Sequence, residues 1–118
     1  MTVQGIMKVL NAQIFTPAEG LDTEVHSACG SDMMSDVLAF VKEQSVLLTG
    51  LVNAQVVRTA EMMDMRCVVF VRGKRPDAEM IRLAQEKGMV LLSTELPMFT
   101  ACGLLYAHGL EGGYPADE

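Results

Sequence analysis

Apolar positions along this chain follow two periods. From Cys67 to Val71 the residues Cys-Val-Val-Phe-Val are apolar without interruption, as in a strand buried on both faces of a parallel sheet covered by helices. Ser45 to Leu48 and Met89 to Leu92 are shorter runs of the same kind. Elsewhere apolar residues recur at helical spacing. Thr2 is placed to cap a helix through about Leu10, with Val3, Ile6, Met7 and Leu10 on one face. Gln13 to Phe15 reads as a short strand, Thr16 to Gly20 as a turn, and Thr23 to Cys29 as a second strand around Val25. Gly30-Ser31-Asp32 leads into a helix from Met33 to about Lys42 with the stripe Met34, Val37, Leu38 and Val41.

Asn53 is placed to cap a helix to about Met65 that buries Val56, Val57, Ala60 and Met62 or Met63. Pro76 and Asp77 open a helix through Lys87, with Met80, Ile81 and Ala84 inward and Gly88 as its left-handed end. Pro97 starts a last helix that ends by Gly109 and carries Phe99, Cys102, Leu105 and Tyr106 as its apolar residues. Residues 1–110 form one domain on this reading, and 111–118 a flexible acidic tail.

Strands and helices that alternate over short connections predict an α/β fold, a three-layer αβα sandwich around a mostly parallel sheet of about five strands. The turns after the four best strands then share one edge of the sheet. They are Gly30-Ser31-Asp32, Thr49-Gly50, Arg72 to Arg75, and Ser93-Thr94. Ligands of open parallel sheets bind beyond the carboxyl ends of the strands. Each turn also feeds a helix N-terminus, where free backbone N–H groups and the helix dipole favour an anion.

Composition narrows the function classes. With 118 residues the chain holds a single core, and with only 5% aromatic residues that core is built from Val, Leu, Met and Ala. Half of the residues are apolar, more than a domain this small hides easily, which favours a homodimer. Ten methionines serve as flexible core filler or as an adaptable contact surface. A formal net charge of −6 argues against nucleic acid or an anionic membrane as partner. Three cysteines, an odd number, without a signal-like or spanning stretch, fit reduced thiols in a cytoplasm.

Against that acidic background Arg72, Lys74 and Arg75 stand together around Gly73. A charged loop is commonly a solvated face, but cations beside a glycine also suit a phosphate or carboxylate. Ser31, Asp32, Asn53, Ser93 and Thr94 are either ordinary helix caps or polar groups that line the same edge. His26 and Cys29 fall on opposite strand parity, so they do not form a metal pair. Gly73-Lys74 lacks the upstream glycine of a phosphate-binding loop, and no Gly-x-Gly-x-x-Gly occurs.

Five segments in order carry a resemblance. Gly30-Ser-Asp-Met-Met-Ser-Asp-Val-Leu, Val46-Leu-Leu-Thr-Gly-Leu, Val68-Val-Phe-Val-Arg-Gly-Lys-Arg-Pro, Leu91-Leu-Ser-Thr and Ala101-Cys-Gly-Leu-Leu-Tyr together resemble the DRTGG domain. They are especially similar to its small stand-alone members related to the N-terminal domain of HPr kinase/phosphorylase, the part without kinase activity. The resemblance implies an α/β sensory or regulatory domain, commonly dimeric, found alone or attached to phosphotransacetylases and to CBS-containing pyrophosphatases, where a neighbouring module binds adenine nucleotides. Leu51 and Val52 stand where the family carries its Asp-Arg pair, and Arg72, Gly73 and Lys74 where it carries Thr-Gly-Gly.

Two functions are expected from these observations. The first is a non-catalytic regulatory domain, dimeric and without a cofactor, that binds a small anionic ligand such as a nucleotide. Arg72, Gly73, Lys74 and Arg75 would hold it, with Ser31, Asp32, Thr49, Gly50, Asn53, Ser93 and Thr94 around them. The second is an interaction module that docks a metabolic or redox enzyme through a Met-rich surface.

Overall fold

A computed structural model describes residues 1–40 and 44–112 of the chain. It is an α/β fold in three layers. The strands are β1 (Gln13–Ile14), β2 (Ser27–Gly30), β3 (Ser45–Thr49), β4 (Cys67–Phe70) and β5 (Val90–Ser93), and the helices are α1 (Val3–Leu10), α2 (Met34–Phe40), α3 (Ala54–Met62), α4 (Ala78–Glu86) and α5 (Met98–Ala107). The sheet runs in the order β1-β5-β4-β3-β2. β2 to β5 are mutually parallel, and β1 closes the far edge antiparallel to β5. Among the described residues no helix is long and apolar enough to cross a membrane.

The unbroken apolar runs exist because β3, β4 and β5 are covered twice. Register aligns Val46, Cys67 and Val90 in one row and Leu48, Val69 and Leu92 in another. These rows pack under Val3, Ile6 and Leu10 of α1 and Ala101 and Leu105 of α5. Leu47, Val68 and Leu91 point the other way. They join Val37 of α2, Val56, Val57 and Ala60 of α3, and Met80 and Ala84 of α4. At the carboxyl end polar groups enter in the last row, where Thr49 and Ser93 flank Phe70. One buried polar pair lies at the opposite end, where the hydroxyls of Ser27 and Ser45 bond each other across β2 and β3.

Caps set the helix starts as the side chains suggested. Thr2 accepts from the Gly5 N–H, Asn53 from Val56, and Asp77 from Met80, each tying down a donor the helix leaves free. The second strand is shorter than the expected Thr23–Cys29. Its first part pairs with the chain start instead: the Val3 N–H donates to Thr23 O and the Val25 N–H to Met1 O. α3 stops at Met62, before the expected Met65. Asp64 turns left-handed there (φ 56), so that the Met65 N–H reaches Ala60 O at 2.8 Å, a Schellman-type end.

Other expectations need correction. Leu38 was expected in the buried stripe of α2 and is exposed. Of the two alternatives on α3, Met62 is exposed and Met63 packs partly buried against the core, and Thr59 is buried as well. Val41 and Lys42, placed on α2 by pattern, lie outside the described residues, as do residues 113–118 of the expected tail. The preceding Glu111 is bonded to the fold: its carbonyl accepts from the Ala28 N–H at 2.9 Å, on the outer edge of β2.

Two tests follow from this packing. A Cβ on Gly30 would come within 2.7 Å of Cys102 Sγ and 3.2 Å of Met98 Sδ. Gly30→Ala should therefore lower unfolding free energy by about 1–3 kcal/mol through overpacking. Cys102→Ala in the same chain should recover part of that loss, which denaturant melts of the four proteins in a double-mutant cycle would read. Cys67 is fully buried, and burial pushes its thiol from an ordinary 9.0 up to about 12. Its proton is held more tightly folded than unfolded. The stability this contributes is complete below 9.0 and is lost as pH rises toward about 12. In mildly alkaline buffer a thiol reagent should thus label Cys67 only as fast as the chain unfolds, with half-buried Cys29 and Cys102 reacting first. Equal labelling of all three in the native protein would contradict this packing.

Candidate functional site

Because β2 to β5 are parallel, their carboxyl ends bring the four expected turns to one edge. α4, which follows β4, packs on one face of the sheet, and α5, which follows β5, on the other. The chain thus parts to opposite sides between the ends of β4 and β5, the place where α/β folds usually open a crevice. Here the opening is stitched closed. The Arg72 N–H donates to Leu96 O at 2.8 Å and the Gly73 N–H to Thr94 O at 2.9 Å, while the Ser93 hydroxyl donates to Lys74 O at 2.6 Å. Thr94 is buried and donates its hydroxyl to Leu10 O at the end of α1.

These bonds require a sharp reversal after β4. Arg72 and Gly73 are both left-handed, with φ of 58 and 71. Glycine takes that conformation freely, whereas for Arg72 it costs on the order of 1 kcal/mol. The Glu95 carboxylate lies over Gly73, close enough that a Cβ there would sit 2.4 Å from its Oε2.

The reversal throws the Arg72 side chain back toward β3. Its guanidinium covers Gly50, where a Cβ would stand 2.0 Å from Nη2, and Nη2 lies 3.7 Å from Asp32 Oδ2. Asp32 Oδ1 in turn accepts from the Gly50 N–H at 2.7 Å and the Thr49 hydroxyl at 3.1 Å. Three turns that are distant in sequence so converge on one carboxylate. Asp32 and Arg72 are each about half exposed (48% and 50%), so their ion pair is screened and contributes little to stability. The clefts lined by Pro17, Gln85 and Met89, and by Asp64, Arg66 and Lys87, lie at the opposite, amino ends of the strands.

The expected site residues thus separate into groups. Asp32, Thr49, Gly50 and Arg72 meet directly. Ser31 is beside them, its hydroxyl accepting from the Met33 N–H, and Asn53 is a helix cap. Gly73, Ser93 and Thr94 hold the β4 and β5 turns together. Arg75 points away from Asp32, with its guanidinium 5.9 Å from the centre of the Phe15 ring, and Lys74 is exposed with no ion pair among the described residues. Glu95 was overlooked in the sequence, although its position directly after Ser93-Thr94 at a strand end was the available signal.

Residues 5–107 match the DRTGG domain. No curated protein sequence matches the chain. Among solved structures it is similar to the crystal structure of the CBS and DRTGG domains of the regulatory region of Clostridium perfringens pyrophosphatase, complexed with the activator diadenosine tetraphosphate. The TM-score is 0.75 at 19% identity, over 88% of this chain and 45% of that one. At such identity the likeness is one of fold, and this chain spans less than half the length of that one. With a family match that covers most of its length, the chain belongs to the DRTGG domain family.

Proposed function

We propose that this chain is a regulatory domain without catalysis of its own, active as a homodimer, that binds a small anion at the carboxyl ends of β3 and β4. A nucleotide phosphate is the leading ligand. The observation that carries this reading is the way Asp32 is held: a backbone N–H, a hydroxyl and a guanidinium from separate turns all face one carboxylate. That donor set also suits phosphate oxygens. Asp32 therefore acts as the resident occupant of an anion site, and a ligand has to compete with it or draw Arg72 outward. Strain stored in the left-handed Arg72 supports the same reading, since such conformations concentrate at functional positions.

Family membership supports the regulatory part. The similar fold in the pyrophosphatase belongs to a regulatory region with a dinucleotide activator, which makes adenine nucleotides and dinucleoside polyphosphates the first ligands to try here. Lys74, exposed and two residues after Arg72, supplies a second cation to a larger phosphate chain. Arg75 contributes least, because it is turned toward Phe15.

Titration calorimetry and thermal shift with such nucleotides test the proposal. A ligand at about 100 times its dissociation constant should stabilise the chain by roughly 2.7 kcal/mol. Arg72→Ala should weaken binding at least about tenfold, as expected for loss of a charge-assisted contact, and Arg75→Ala should leave it nearly unchanged. Asp32→Asn keeps an acceptor for the Gly50 N–H but removes the competing charge, so it should tighten binding severalfold. Affinity that responds to neither Asp32→Asn nor Arg72→Ala would remove the strand-end assignment, and no binding of any nucleotide or simple anion would remove the ligand itself.

A further inference from the structure

Among the described helices α5 alone has no charged residue; it reads Met-Phe-Thr-Ala-Cys-Gly-Leu-Leu-Tyr-Ala. Ala101 and Leu105 face the sheet and are fully buried, whereas Phe99 is 89% and Tyr106 66% exposed. Gly103 is also exposed and lies four residues after Phe99 and three before Tyr106, so the three share one outward stripe. Glycine in a helix interior weakens it relative to alanine. Nothing among the described residues requires it, since a Cβ on Gly103 would meet none of their atoms within 4 Å. The other reason for a mid-helix glycine is close approach of a second backbone.

We infer that this stripe is the contact surface for a second copy of the chain, with the two α5 helices crossing antiparallel at Gly103. The pattern is self-complementary. A two-fold axis near Gly103 sets Phe99 of one copy beside Tyr106 of the other, as an isologous contact requires. Charge favours the same occupant. At a net charge of −6, most faces of this chain would oppose excess carboxylates to each other in a two-fold contact, and α5 opposes none. Four aromatic rings exposed to this degree supply roughly 600 Å², about a third to a half of what a stable interface buries. Thr100 and Ala107 are exposed beside them and extend the patch.

This inference rests on the dimeric part of the proposed function and not on its ligand. Sedimentation velocity of the full chain over micromolar to submillimolar concentration tests it, with Gly103→Gln and Phe99→Lys as variants. Both positions are exposed and Gln is the better helix former, so the far-UV circular dichroism of the variants should match that of the parent. The expected result is a dimer whose dissociation constant rises by roughly 30-fold or more in each variant, as for a central interface position. A parent chain that is monomeric throughout would overturn both the dimeric reading and this face. A dimer that persists unchanged in both variants would overturn the face alone.

Discussion

The constraint on which this structure depends is burial of the parallel strands from both sides. Every side chain of β3, β4 and β5 is buried. A side chain there must be apolar or carry its own hydrogen-bond partner, so neither face of the sheet can hold chemistry. Polarity is pushed to the strand ends, and at the carboxyl ends it begins in the row of Thr49, Phe70 and Ser93. The polar cluster stands where it does because the turns just beyond that row are the first residues open to water.

At that edge the fold makes a choice between two openings. Between β4 and β5 the backbone of Arg72 and Gly73 is tied to the turn after β5, and the Ser93 hydroxyl adds a third bond. The space between β3 and β4 is filled differently, by a guanidinium lying on a glycine and facing a half-exposed carboxylate. Backbone ties between two turns open only when the turns separate, but a screened ion pair exchanges readily with ions from solvent. Physical access therefore lies over Gly50. It is notable in this light that the turn after β3 carries Leu51 and Val52, where the family resemblance places an Asp-Arg pair, and that a carboxylate and a guanidinium nevertheless meet there, supplied by Asp32 and Arg72.

The sheet and its helices were legible because they rest on local signals. Caps at Thr2, Asn53 and Asp77, the left-handed Gly88 and the unbroken run at β4 are readable without tertiary context. What was not legible depends on contacts between distant segments. Thr23 to Val25 has the length and branching of a strand, yet its backbone bonds go to the first residues of the chain. Asp32 follows a glycine and a serine as a cap would, but its carboxylate is used by the turn after β3. Arg72, Lys74 and Arg75 look like one cationic cluster in sequence, and the left-handed pair at Arg72 and Gly73 is what sends Arg72 and Arg75 to different neighbours. Charge proximity along a chain is therefore a poor guide where the backbone reverses within the cluster.

The strand-end cluster and α5 are also connected by a short physical path. Leu96, whose carbonyl holds the Arg72 N–H, precedes Pro97, whose own carbonyl accepts the Ala101 N–H in the first turn of α5. One hydrogen bond thus separates the residue that faces Asp32 from the helix that exposes Phe99 and Tyr106. A ligand that altered only the Arg72 side chain would leave this path untouched. One that relaxed its left-handed backbone while keeping the bond to Leu96 would move Leu96, and the start of α5 with it. Coupling between sites needs an element with two arrangements, and the left-handed Arg72 backbone, which any second arrangement would relax, lies on this path.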